Sequence, residues 1–177
     1  MIAFALFAAM GAWHTPQQEV KAPLPAPDFS AKANDGKTYT LKSLTGDKTL
    51  VLYFISWSCP VNAEAVPYYK QIQAAYKGKV NFVGVFNGDK ELLAEWQKDH
   101  DVKFPILFDP EMEIIRSYKA IASPWVAVVN PKGERTVTQS GYSIARLDEL
   151  NGLMSKAAGM QAAKIDTKGA PVEEAFG

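Results

Sequence analysis

Three apolar runs divide the chain: Leu50 to Ile55, Val80 to Phe86 and Trp125 to Val129. They carry almost no polar alternation, so they predict strands buried on both faces of a sheet. Between and after them the spacing changes to three and four. Val61, Ala65, Tyr69, Ile72 and Tyr76 form one helical stripe that ends near Gly78, with Pro67 inside it. Leu92, Leu93 and Trp96 mark a second helix over Lys90 to His100, and Ile144, Leu147, Leu150 and Met154 mark a last one over Ser143 to Met154.

Turn chemistry fills the gaps. Asn34-Asp35-Gly36 separates Phe29-Ser-Ala-Lys from Lys37 to Leu41, a strong hairpin signal. Asn130-Pro131-Lys132-Gly133 predicts a second hairpin, with Glu134 to Ser140 returning as the edge strand. Lys42 to Lys48 reads as a polar turn, Phe104 to Phe108 as a short extended segment, and Asp109-Pro110 as the start of a helix through Tyr118. A βαβ unit demands parallel strands with a right-handed crossover. The later hairpin adds an antiparallel strand, so the expected architecture is α/β: a mixed central sheet flanked by helices, preceded by an N-terminal β-hairpin.

The first apolar run leads straight into the chain's single cysteine, through Ser56-Trp57-Ser58-Cys59-Pro60. Pro60 suits the first turn of a helix, where its missing N–H costs nothing. Cys59 is therefore expected at the junction of a central strand and a helix N-terminus. A helix N-terminus stabilises an anion by about 0.3–2 kcal/mol, and the thiolate is the nucleophilic form of cysteine. Asn62, Trp57 and local backbone N–H groups are the candidate donors to that thiolate. Position favours a reactive thiol over an inert buried one.

Composition narrows the classes. Lys+Arg and Asp+Glu are 19 each, so the net charge is zero; nothing suggests a nucleic-acid partner. One cysteine rules out an internal disulfide, and His14 and His100 lack ligand spacing, so neither a metal nor a cofactor is expected. Residues 1–12 form an apolar stretch too short to span a bilayer and rich in small residues, like a secretory signal peptide without its positive start. Export to the periplasm or exterior is expected, with no stable membrane anchor after cleavage. Residues 13–25 read as a linker rich in Pro, Gln, Lys and Ala, residues 26–158 as the folded domain, and residues 159–177 as a poorly ordered tail of low hydrophobicity.

The arrangement resembles the thioredoxin fold, a three-layer α/β/α design. More narrowly it resembles the redoxin branch, with its alkyl hydroperoxide reductase/thiol-specific antioxidant proteins and its TlpA/ResA-like thiol-disulfide oxidoreductases. Ala26-Pro27-Asp28-Phe29, Trp57-Ser58-Cys59-Pro60, Pro67, Ser123-Pro124 and Asn130-Pro131-Lys132-Gly133 carry the resemblance, over about residues 26 to 156. It implies that Cys59 is the attacking cysteine and that Pro124 is a cis-proline lying against it. It also places Asn62 where a Cys-x-x-Cys enzyme has its resolving cysteine. Ser56 matches the hydroxyl of the peroxidase motif, but Leu52 stands where that motif has proline, and Pro124 lies where it has arginine.

Two readings of function follow. In the first, Cys59 attacks a disulfide or peroxide and an external thiol completes the cycle, with Cys59, Pro124, Ser56 and Asn62 as the catalytic set. In the second, the fold is a redox-inactive module that binds an extended segment of a partner protein. Both use a groove built from Trp57, Ser58, Pro60, Ser123 and Trp125, in which the two tryptophans are either exposed contacts or part of the core.

Overall fold

A computed structural model describes residues 23–177; the signal-like segment 1–12 and most of the linker lie outside the described residues. The elements run β1 (Leu24–Pro25), β2 (Ser30–Lys32), β3 (Thr38–Thr40), α1 (Leu41–Thr45), β4 (Leu50–Ile55), α2 (Pro60–Ala75), β5 (Asn81–Phe86) and α3 (Lys90–Asp99). They continue with β6 (Ile106–Phe108), α4 (Glu113–Ser117), β7 (Trp125–Val129), β8 (Glu134–Ser140) and α5 (Ile144–Ala158). The six-stranded sheet has the order β1-β8-β7-β4-β5-β6, and β2 pairs with β3 as a separate hairpin. β4, β5 and β6 are mutually parallel, while β7 runs antiparallel to β4 and β8 to β7.

The apolar runs become the sheet centre for the expected reason. Every residue of β4 is buried, and its side chains still alternate between two cores. Val51, Tyr53 and Ile55 join the cluster that includes α2, α3 and α5 residues, and Leu50, Leu52 and Phe54 join the cluster under α1, α4 and the hairpin. Filling both faces makes a run without polar alternation the signature of this strand. Its C-terminal end, at the sheet's middle, carries the Cys59 turn.

Four expectations change. Lys42 to Lys48 is not a plain turn: Thr40 caps α1 through a reciprocal capping box with Ser43, and Leu41 and Leu44 are buried beneath it. α4 begins at Glu113, after Asp109, whose buried carboxylate accepts from the N–H groups of Ile114 (3.2 Å) and Ile115 (2.9 Å). β8 is not the edge, because Leu24 and Pro25 from the end of the expected linker pair with Arg135 and Glu134. A two-residue edge ending in proline offers little template for further pairing.

The fourth change concerns residues 159–177, expected as a poorly ordered tail. In the structure α5 ends at Gly159, in the left-handed region with φ 64°, and the following segment runs back across α2 and α5. Polar side chains hold it. Tyr76 and Asn151 bond the backbone of Ala163, Gln71 bonds Asp166 through both its N–H and its carbonyl, and Tyr68 donates to the carbonyl of Lys168. Ala163, Ile165, Ala170 and Ala175 pack against the core edge. Low hydrophobicity did not foretell this, because the partners are donors and acceptors on distant helices.

Candidate active site

Cys59 is the N-cap residue of α2, with Pro60 in the first turn. Its backbone N–H donates to the carbonyl of Ser56 at 3.2 Å, and its own carbonyl accepts from the N–H of Asn62 at 3.1 Å. The turn is thus closed on both sides of the cysteine, and the half-buried thiol is held at the start of a sixteen-residue helix. The Sγ donates to the backbone carbonyl of Ser123 at 3.5 Å. The peptide between Ser123 and Pro124 is cis, and the Sγ contact sets the distant Ser-Pro pair against the cysteine, as the resemblance implied.

Ser123 is the centre of the site. Its hydroxyl oxygen accepts from the backbone N–H of Ser56 at 3.2 Å and from the side-chain amide of Asn62. Asn62 is fully buried; it donates also to the carbonyl of Phe54 at 3.4 Å, and its amide oxygen accepts from the Tyr53 hydroxyl. A satisfied polar cluster therefore joins β4, α2 and the cis-proline loop directly beneath the thiol. Burial pushes the Tyr53 hydroxyl far above its ordinary titration range, with Tyr69 and Cys59 adding to it, so Tyr53 stays a neutral donor.

Here one expectation is corrected. The Asn62 amide does not turn to Cys59; at the third helical position it points inward onto β4, and both its ends are used by Tyr53, Phe54 and Ser123. Its role in this structure is to lock the cysteine turn to the cis-proline loop. Trp125 is corrected as well. It is only 5% exposed and packs in the core under α4, because β7 is a central strand with both faces covered.

The other groove residues lie at the surface. Trp57 is 50% exposed, and Ser58 and Pro60 are exposed beside it. Trp57, Ser58, Cys59 and Pro60 form one wall of an open groove whose other wall is α3, with Trp96 and His100. On the far side of Ser123 a second depression is lined by Met112, Ile115 and Ile121, of which Ile121 is 87% exposed. The Ser56 hydroxyl accepts from the side-chain amide of Asn87 at 3.4 Å, and Asn87 also accepts from the Trp57 N–H at 3.0 Å. The arginines make their bonds elsewhere: Arg135 to the carbonyl of Tyr118, and Arg146 to Glu149 and Glu174. Among the described residues no group of three or more His, Cys, Asp or Glu is arranged to hold a metal ion.

Two contributors escaped the sequence reading. Asn87 follows β5, which runs parallel beside β4, so a polar residue after a buried neighbouring strand was the available signal. Gly177 is the other. Its N–H donates to the Ser123 carbonyl at 2.8 Å and its carbonyl accepts from the Ser123 N–H at 2.9 Å. Nothing in its local sequence marks that contact.

The family model described as the AhpC/TSA family matches residues 24–138. A thiol-disulfide oxidoreductase ResA from Oceanobacillus iheyensis is 29% identical over 130 residues, spanning 70% of this chain and 67% of that protein. The structure of MTB dsbF in its mixed oxidized and reduced forms superposes with a TM-score of 0.66 at 29% identity, covering 76% of this chain and 98% of that one. A secreted Mycobacterium tuberculosis disulfide oxidoreductase homologous to E. coli DsbE gives a TM-score of 0.62 at 25% identity, covering 72% and 95%. The fold is thioredoxin-like, with the mixed sheet and flanking helices of that class.

Proposed function

The chain belongs to the AhpC/TSA family, and from that premise we propose that it is a thiol-disulfide oxidoreductase acting on protein disulfides with Cys59 as its sole nucleophile. The observation that carries this reading is the half-buried Cys59 thiol at the N-cap of α2, 3.5 Å from the carbonyl that precedes cis-Pro124. The Ser123 backbone has one N–H and one carbonyl, paired with Gly177 in this structure, and these are the groups an extended substrate segment would use. The names of the ResA and disulfide-oxidoreductase relatives point the same way.

The steps balance without a cofactor. The Cys59 thiolate attacks one sulfur of a substrate disulfide, forms a mixed disulfide and expels the other sulfur as a thiolate. In a dithiol enzyme a second cysteine would then displace the substrate. Position 62 holds Asn62, which has no sulfur and is already engaged with Ser123 and Tyr53. An external thiolate therefore attacks the mixed disulfide, regenerates the Cys59 thiolate and leaves with the substrate sulfur in a new disulfide. Ser56 contributes backbone bonds that shape the turn, and Trp57, Ser58 and Pro60 form the exposed groove wall. Disulfide exchange is favoured over peroxide chemistry because Leu52 occupies the peroxidase proline position and the described arginine bonds lie away from the turn. Export from the cytoplasm is part of the proposal, supported by the apolar residues 1–12 and by the secreted relative.

The test uses the reduced full chain and a peptide disulfide. Mass spectrometry is expected to find a one-to-one adduct on Cys59 that persists until excess small thiol is added. Asn62→Cys should shorten the life of that adduct by offering an internal resolving sulfur. Absence of any adduct, together with unchanged partner capture by Cys59→Ser, would replace this reading with the redox-inactive binding module.

A further inference from the structure

The segment that follows α5 reaches the groove beside the thiol. Ala175 and Tyr142 exchange both backbone hydrogen bonds at 2.9 Å, and two residues on Gly177 does the same with Ser123 at 2.8 and 2.9 Å. Each exchange is of the antiparallel kind, made with a different segment: Tyr142 follows β8 and Ser123 precedes β7. Upstream, the Ile144 N–H donates to the carbonyl of Pro171 at 2.9 Å, and the Arg146 guanidinium holds the Glu174 carboxylate at 2.8 Å. The approach to the sulfur is close: a Cβ placed on Gly177 would lie 2.9 Å from Cys59 Sγ. Gly141 makes room for the same segment, since a Cβ there would meet the Ala175 carbonyl at 2.7 Å.

We propose that residues 171–177 are a tethered occupant of the Cys59 groove, competing with the extended segments of partner proteins and leaving the sulfur open to small molecules. The inference rests on the proposed function for the identity of those partners, though not for the covering itself. Ser123 has one backbone N–H and one carbonyl, and Gly177 uses both. An incoming backbone can pair there only after the strap leaves. Cys59 stays half-buried with the strap in place, so a reagent that needs no backbone pairing reaches it from the Trp57 side. The latch that sets the opening is the Arg146–Glu174 ion pair, with side-chain exposures of 16% and 36%. Salt screens such a pair, and its chemistry also names the fitting partner: an extended segment with a carboxylate opposite Arg146 and a small residue against the sulfur.

Alkylation measures the covering independently of redox turnover. Iodoacetamide serves as the small reagent and a polymer-linked maleimide as the large one, each applied to the full chain, to a variant lacking residues 170–177 and to Glu174→Lys. The large reagent is expected to react about tenfold faster once the segment is removed, while iodoacetamide changes by less than about threefold. Glu174→Lys should fall between, and adding Arg146→Glu to it should return the rate toward that of the full chain. Equal acceleration of both reagents, or no acceleration of the large one, would overturn the proposal. Selective acceleration without any peptide-disulfide adduct in any variant would leave the strap standing and sink the exchange reaction.

Discussion

β4 and the strap both lead to Cys59, and they reach it by opposite chemistry. β4 is six apolar residues, all buried, paired on both sides by neighbouring strands. The strap together with the segment leading to it, residues 160–177, is mostly exposed, and it is held by side chains of α2 and α5, by one ion pair and by four backbone bonds at Ala175 and Gly177. Burial of a large aliphatic side chain stabilises by about 1.5–3 kcal/mol, whereas a hydrogen bond nets about 0.5–1.5 kcal/mol. The sheet therefore fixes where the thiol is, and the strap can only decide what reaches it. A fold that separates these tasks can open its groove without unfolding.

The largest expected effect lies on the strand side. Leu52→Ala removes a fully buried side chain from the centre of the sheet and should cost about 2–5 kcal/mol in urea unfolding. If it cost less than the strap substitutions below, the division between scaffold and cover would be wrong.

Asn151→Ala comes next and acts where the strap meets the core. Its amide donates to the Ala163 carbonyl at 2.8 Å and its oxygen accepts from the Tyr76 hydroxyl at 2.5 Å, which in turn accepts from the Ala163 N–H at 3.0 Å. Losing this anchor leaves buried polar groups unpaired and should cost about 1–3 kcal/mol, with protease sensitivity appearing first at residues 160–170.

A pH effect of known sign follows from Tyr142, which is buried against Tyr68. Burial, then the Glu64 carboxylate to which the hydroxyl donates at 3.3 Å, pushes it up to about 12. The free value is about 10. Below pH ~10 the hydroxyl is protonated in both states and its contribution is fully present; it is lost as pH rises from about 10 toward 12, because the unfolded chain releases the proton first. Tyr142→Phe keeps the backbone pairing to Ala175, so its urea midpoint should fall less steeply over that window while Tyr53, Tyr69 and Tyr118 titrate in both proteins. Parallel slopes would show that Tyr142 titrates as a free phenol.

The same contrast explains what could be read from residue order. β4, β5, β7 and α2 were legible because apolar runs and three-four spacing encode burial, and Cys59-Pro60 marks its own helix start. The cis-proline partner was legible through the resemblance, since Ser123-Pro124 stands 64 residues from Cys59. The inward turn of Asn62 was not, because a polar residue at a helix start reads as surface until its buried partners Tyr53 and Ser123 are in place. Trp125 failed in the other direction: an aromatic beside an active-site proline suggests a contact surface, but its strand is covered on both faces. The strap was hidden altogether, since its side-chain attachments are donors and acceptors scattered between Tyr68 and Asn151. The edge pairing of Leu24 with Arg135 was hidden too, because a two-residue backbone pairing leaves no periodicity in the sequence.

The smallest effect separates the two regions most cleanly. Glu174→Ala removes an ion pair of which Arg146 is mostly covered and Glu174 is at the surface; Arg146 keeps its second partner, Glu149, at 2.9 Å. Exposed pairs of this kind contribute about 0–1 kcal/mol, so the urea midpoint should barely move. Local opening draws on a smaller free energy than global unfolding, and there the same loss is a large fraction. Hydrogen exchange at the amides of Ala175 and Gly177 should therefore quicken several-fold, while the amides of β4 keep their protection. Quickening of both sets together would mean that strap and sheet open as one unit, and Cys59 would then be uncovered only by unfolding the sheet that positions it.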